Sequence, residues 1–228
     1  MAVMVSTDVL RELESLGTEQ NRKIYKRHGA GDNLYGVSFA NQKVLTRKYK
    51  GNHQLALELW DSGNADARIL ATMIADPKLA DNAMIERWAS DLTNYGLADA
   101  LEGLVTRTPL AREKAEEWIK SDEEWRGSMG WQLVGQLAMQ DKDLPDDYFE
   151  RHLQTIERDI HSAKNRVRYS MNGAIIAIGL RNDRMREKAL AVAEKVGKVE
   201  VDHGETGCKT PDAVPYIMKA SARSQGKK

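Results

Sequence analysis

The chain has 228 residues and 25.6 kDa, with 41% hydrophobic and 30% charged residues, a composition that excludes a disordered polypeptide. Its 34 Lys/Arg balance 34 Asp/Glu, which counts against a strong nucleic-acid binder. The single cysteine, Cys208, excludes an internal disulfide framework; with no long apolar run and no basic leader at MAVMVSTDVL, the expected location is cytoplasmic.

Few prolines and many Ala, Leu, Glu, Lys and Met residues favour an all-α fold. Residues 7–28 read as one or two amphipathic helices with Leu10, Leu13 and Leu16 as the buried edge. GAGDNLYGVS at 29–38 is glycine-rich but lacks a Walker pattern and a preceding strand, so it reads as a connector. Helices are then predicted over 41–49, 52–60, 64–75, 82–90, 94–106, 109–120, 123–139, 146–161, 165–180 and 183–197, separated by short polar breaks such as Asp76-Pro77. Thr210-Pro211-Asp212 reads as a cap with proline in the first turn, opening a last helix to about 222. The expected organisation is one helical-repeat domain over 1–222, with 199–222 as its capping segment and 223–228 as a flexible tail.

An internal echo runs through the breaks. Trp60 is followed eight residues on by Arg68, Trp118 by Arg126, and Ile160 by Arg168, while Trp88 has Gly96 at that place. Each unit is the end of one helix, a turn and the start of the next, which predicts stacked helical hairpins, an α-solenoid. Arg68, Arg126 and Arg168 then form a ladder that either meets an anionic partner or bonds carboxylates of neighbouring repeats. Charge is segmented too: nine Lys/Arg meet five Asp/Glu over 1–50, nine meet twenty over 51–150, and sixteen meet nine over 151–228. Lys164, Arg166, Arg168, Arg181, Arg184 and Arg186 form the densest basic cluster and the best candidates for phosphate contact.

The segment 94–105, NYGLADALEGLV, places Leu97, Ala98, Leu101, Leu104 and Val105 on one apolar stripe and Tyr95, Asp99 and Glu102 on the other. That second face is solvated surface or the floor of a site. His28, His53, His152 and His161 lack ligand spacing and read as surface or helix-end residues. Asp202, His203, Glu205 and Cys208 are ligand types whose spacing matches no zinc pattern, so no metal site is expected.

Taken with YGVSFANQKVL at 35–45, ELWDSGNADARILATMIA at 58–75 and SDEEWRGSMGWQLVGQL at 121–137, this segment resembles the DNA alkylation repair family, bacterial alkylpurine DNA glycosylases built from HEAT-like helical repeats. The resemblance covers most of the chain. It implies a HEAT-like superhelix that works on damaged or distorted double-stranded DNA as a monomer, excising cationic N3- or N7-alkylated purines without metal or organic cofactor. In that chemistry a carboxylate stabilises an oxocarbenium-like sugar while aromatic faces flank the lesion. The resemblance puts the catalytic aspartate at Asp99 and a lesion-facing tryptophan at Tyr95. It puts a functional arginine at Ser128 and a second tryptophan near Gly173, so two of the four groups are absent; Trp131, one turn beyond Ser128, reads as core. Two alternatives to excision follow: a non-catalytic relative that binds distorted or branched DNA, and a protein-interaction scaffold, which the zero net charge would suit.

Overall fold

A computed structural model describes residues 6–225, and among them it contains thirteen helices and no strand beyond an isolated bridge between Gly17 and Val37. The all-α expectation holds. Helices α1 (Ser6–Leu16), α2 (Glu19–Arg27), α3 (Phe39–Tyr49), α4 (His53–Asp61), α5 (Ala65–Ile74), α6 (Asn82–Ser90) and α7 (Tyr95–Val105) form a first compact unit up to Leu110, with which Gly204–Thr206 are grouped. Helices α8 (Ala111–Trp118), α9 (Glu124–Gln140), α10 (Asp146–Asp159), α11 (Asn165–Gly179), α12 (Asp183–Val196) and α13 (Ala213–Gln225) form a second. Of the predicted tail 223–228, residues 223–225 belong to α13 and 226–228 lie outside the described residues. No helix among the described residues is long and apolar enough to cross a membrane.

Local chemistry explains the helix starts. Ser38, Asn52, Asn64, Asp81, Asn94 and Asn182 each accept a hydrogen bond from a backbone N–H in the first turn that follows, satisfying donors the helix cannot. The last helix differs from expectation. It begins at Ala213, with the Asp212 carboxylate accepting the Val214 N–H at 3.2 Å. Pro211 stays outside the helix, where its carbonyl receives the Asn172 side-chain amide at 2.9 Å.

In the first unit α5 packs against α3, α4 and α7. The core here is built on Trp60 and Trp88, both fully buried and stacked face to face at 4.1 Å with 2° between their planes. The Trp-to-Arg spacing has a structural use in this unit. Arg68 lies 5.1 Å from the Trp60 ring, donates to the Trp60 carbonyl at 3.2 Å, and pairs with the Asp91 carboxylate at 3.3 Å, which also accepts the Trp60 indole N–H at 2.7 Å. One side chain thereby closes the end of α4 and holds the turn after α6.

In the second unit α9 is flanked by α8 and α11, and α11 by α12 and α13. Small residues let α9 and α11 approach closely: a Cβ on Gly127 would stand 3.0 Å from Val167, and one on Gly135 3.4 Å from Ala177. Trp131 is buried, as the sequence suggests, but so is His152, contrary to its surface reading. His152 packs edge-on against Trp131 and Tyr148, and burial pushes its pKa down to about 4, so the ring is neutral at physiological pH.

Candidate functional site

The candidate site in the first unit is assembled around a buried carboxylate. Asp66 is 1% exposed, and its two oxygens accept three successive backbone N–H groups, from Tyr35 at 2.7 Å and from Gly36 and Val37 at 2.9 Å. Three charge-assisted bonds replace the water a buried carboxylate loses. Gly36 completes the turn at φ +80, where a Cβ would stand 2.5 Å from the Thr18 carbonyl. The Tyr25 hydroxyl donates to the Val37 carbonyl at 2.8 Å. The predicted connector at 29–38 is therefore held at its far end by α5 and α2.

This frame borders two adjoining cavities. The first, about 270 Å³, is mainly apolar and runs between α2, α3, α5 and the start of α7, reaching Tyr25, His28 and Tyr95. The second, about 460 Å³, follows α7 onward to Asp99, Gly103 and Arg107. They share Phe39, Ile69 and Gly96 as common wall. Tyr95 is half-buried, and its hydroxyl is hydrogen-bonded to His28 Nδ1 at the end of α2. Asp99 is exposed one turn further along. The two residues expected to act together thus line different cavities.

Glu102 departs from the sequence reading. It is 7% exposed rather than solvated, and the Thr106 hydroxyl donates to its carboxylate at 2.6 Å. Burial, reinforced by the charge of Asp99 and opposed by the Thr106 bond, raises its pKa from 4.5 to about 7. The folded state therefore holds a proton that the unfolded chain releases between those values, so the Glu102 contribution to stability falls as pH rises from 4.5 to 7. Glu102→Gln, which keeps the shape and an acceptor for Thr106, is expected to gain roughly 2 kcal/mol at pH 8 and almost nothing at pH 4.5. Urea midpoints at the two pH values check this.

The basic residues named from sequence divide by environment. Lys164 is exposed at the N-cap of α11 and donates to the Asp122 carbonyl. Arg166 is half-buried, 4.6 Å from the Tyr169 ring, and its backbone N–H donates to Glu124 at 2.7 Å. Arg168 donates to the carbonyls of Ala163 at 3.0 Å and Glu200 at 2.8 Å, and Arg126 pairs with Glu123 at 3.4 Å. These four gather at the neighbouring first turns of α9 and α11. Arg68, in the first unit, has 18% of its side chain exposed and is committed to Trp60 and Asp91. Arg181 is enclosed, donating to the carbonyls of Ala138, Asp141 and Leu144, and Arg184 is paired with Asp147 and Glu150.

One turn further along, between α9 and α11, lies a polar pair. Ser128 is 2% exposed, and its hydroxyl is hydrogen-bonded at 2.8 Å to that of Ser170, itself 3% exposed. Gly173 is exposed, with nothing within 4 Å of the position its Cβ would take.

The family described as "DNA alkylation repair enzyme" matches residues 9–217. The chain belongs to this family. Uncharacterized protein Lin0241 of Listeria innocua is 37% identical over 96% of this chain and 99% of its own length, and Lmo0209 of Listeria monocytogenes is 37% identical over 97% and 100%. A solved structure from a new family of proteins related to the HEAT-like repeat DNA glycosylases, with affinity for branched DNA structures, superposes with a TM-score of 0.89 at 31% identity, covering 97% of this chain and 95% of the other. The HEAT-like helical-repeat class expected from the resemblance is thus the observed one.

For this DNA alkylation repair family member, the four positions singled out by resemblance separate into a retained pair on α7 and a changed pair on α9 and α11. Asp99 and Tyr95 border open space. Ser128 is buried against Ser170. The His203 segment borders a cavity of about 410 Å³, where His203 contacts Thr210 at 3.0 Å and Tyr169 edge-on, Asn165 and Asp202 exchange two hydrogen bonds, and Cys208 is exposed. Among the described residues no three His, Cys, Asp or Glu side chains gather to hold a metal ion. Sequence reasoning missed Asp66 and Phe39. Phe39 left a legible signal, because it falls one position off the Gln42, Leu45, Tyr49 stripe that α3 buries.

Proposed function

We propose that the protein binds branched or otherwise distorted double-stranded DNA and holds it without excising a base. The observation that carries this reading is the Ser128–Ser170 contact, which occupies with two buried hydroxyls the place where excision would want an arginine. The branched-DNA affinity of the related structure supports the same reading. Phosphates would be met by Lys164, Arg166, Arg168 and Arg126, where the first turns of α9 and α11 add their own partial positive charge. Arg68 would serve DNA binding indirectly, as a brace.

The test is fluorescence anisotropy with a four-way junction and a plain duplex across a salt series. The expected result is a clear preference for the junction and a linear fall of log affinity with log salt. Lys164→Ala should weaken both substrates and reduce the salt slope by about one. Equal affinity for the two DNAs removes the reading. One observation favours a second reading, alkylpurine excision: Asp99 is exposed on a cavity wall, from which a carboxylate would stabilise a sugar cation, with Tyr95 facing the lesion from the adjoining cavity. Release of N7-methylguanine from methylated DNA, lost in Asp99→Asn, would select it.

A further inference from the structure

Phe39 is anomalous. It is a large apolar side chain, 60% exposed, at the first position of α3, and it forms part of the wall of both cavities of the first unit. Lys43, exposed one turn later, holds its ammonium 5.6 Å from the ring centroid. An exposed aromatic ring with an ammonium held over it brings together the two groups that meet a base and its phosphate.

Behind Phe39 lies the smaller cavity, about 270 Å³, just below the ~300 Å³ at which pockets for drug-sized ligands begin. That volume suits a single ring system. Its walls are mostly apolar, from Ile24, Leu34, Ile69 and Leu97, with Tyr25 and Tyr95 adding aromatic surface. Gln42, 1% exposed, also lines it. The Gln42 amide nitrogen donates to the Asp66 carbonyl at 3.0 Å, which fixes the amide's orientation because a carbonyl only accepts. Its Oε1 is left buried with no hydrogen-bond partner, a costly state in an apolar wall. Asp66 cannot relieve it, being an acceptor already committed to three backbone N–H groups. A ligand that brings a flat apolar face and an N–H would satisfy both features.

We infer that the Phe39 cleft receives one unpaired nucleobase, stacked on Phe39 and presenting an N–H toward Gln42. The inference rests on the DNA-binding reading, since distorted and branched DNA supplies bases without partners. Lys43 is placed to meet the phosphate of the same nucleotide, and adenine is preferred over thymine because the larger purine ring stacks more strongly on Phe39.

The experiment measures anisotropy at low salt on bulged duplexes that differ only in the bulged nucleotide: adenosine, thymidine or a tetrahydrofuran abasic residue. Wild-type protein should bind the adenosine bulge about tenfold more tightly than the abasic one, the order expected for one stacked base. Thymidine should fall between them. Phe39→Ala, at an exposed position where folding does not depend on the ring, should bring all three to the abasic level, and Phe39→Trp should keep the preference. Equal affinities for the three bulges in the wild type, with DNA binding intact, overturn the base cleft and leave the DNA-binding reading standing. Absence of binding to any of them overturns both.

Discussion

Asp66→Ala is expected to cost about 4 kcal/mol of stability and to abolish DNA recognition by the first unit. The substitution removes the acceptor of the Tyr35, Gly36 and Val37 N–H groups at one stroke. Each buried donor left unsatisfied costs about 1–3 kcal/mol, and the three do not add fully because the loop relaxes toward solvent. That relaxation is the functional part of the effect, since Leu34 and Val37 line the smaller cavity and depend on the loop's position. Asp66→Asn keeps one acceptor oxygen and should lose roughly half as much. Urea unfolding gives the stability, and the bulged-duplex comparison gives the function. A variant as stable as wild type would show that the loop holds itself.

Ser128→Arg, which writes back the group that the family resemblance asks for, is expected to destabilise the second unit by more than about 3 kcal/mol and to yield no base excision. The site has no room. Ser128 is 2% exposed and bonded to Ser170, and Gly127 beside it already stands within 3.0 Å of Val167 at its Cβ position. One turn of helix offers no slack, because a Cβ on Gly130 would lie 2.5 Å from the Ile119 nitrogen. Forcing extra side-chain volume into such a contact costs about 1–3 kcal/mol, and a guanidinium stripped of water without a carboxylate partner adds several more. Ser128→Ala is the mild control, losing about 1 kcal/mol through the Ser170 hydroxyl left behind. Unfolding midpoints and a methylpurine-release assay measure the two effects. A stable Ser128→Arg protein that releases N7-methylguanine would mean that one substitution separates this chain from an excising enzyme, and that α9 and α11 part more easily than their packing suggests.

The two sites differ in how they could be read. Asp99 and Tyr95 were legible because α7 has a clean apolar stripe, and both residues fall off it. Glu102 falls off it too, yet is buried, because the width of the covered face depends on what packs there. The arginines at the Trp-to-Arg spacing show the same limit. Their recurrence was visible, but Arg68 is spent on Asp91, whereas Arg168 reaches carbonyls at Ala163 and Glu200. Spacing places such a side chain on a helix; it does not name the partner.

The helices and their boundaries were written in local chemistry: Asn94 or Ser38 capping a first turn, apolar residues every three to four positions, and Gly36 where the chain must turn with positive φ. These are interactions between residues a few positions apart, so the sequence alone determined them, and with them the family resemblance. The Asp66 grip on residues about thirty positions earlier, the buried hydroxyl pair of Ser128 and Ser170, the raised pKa of Glu102 and the exposure of Phe39 were decided only by tertiary structure. Each depends on how much water remains around a polar or aromatic group once distant helices close on it, and burial of that kind is a property of the packed chain rather than of any stretch of it.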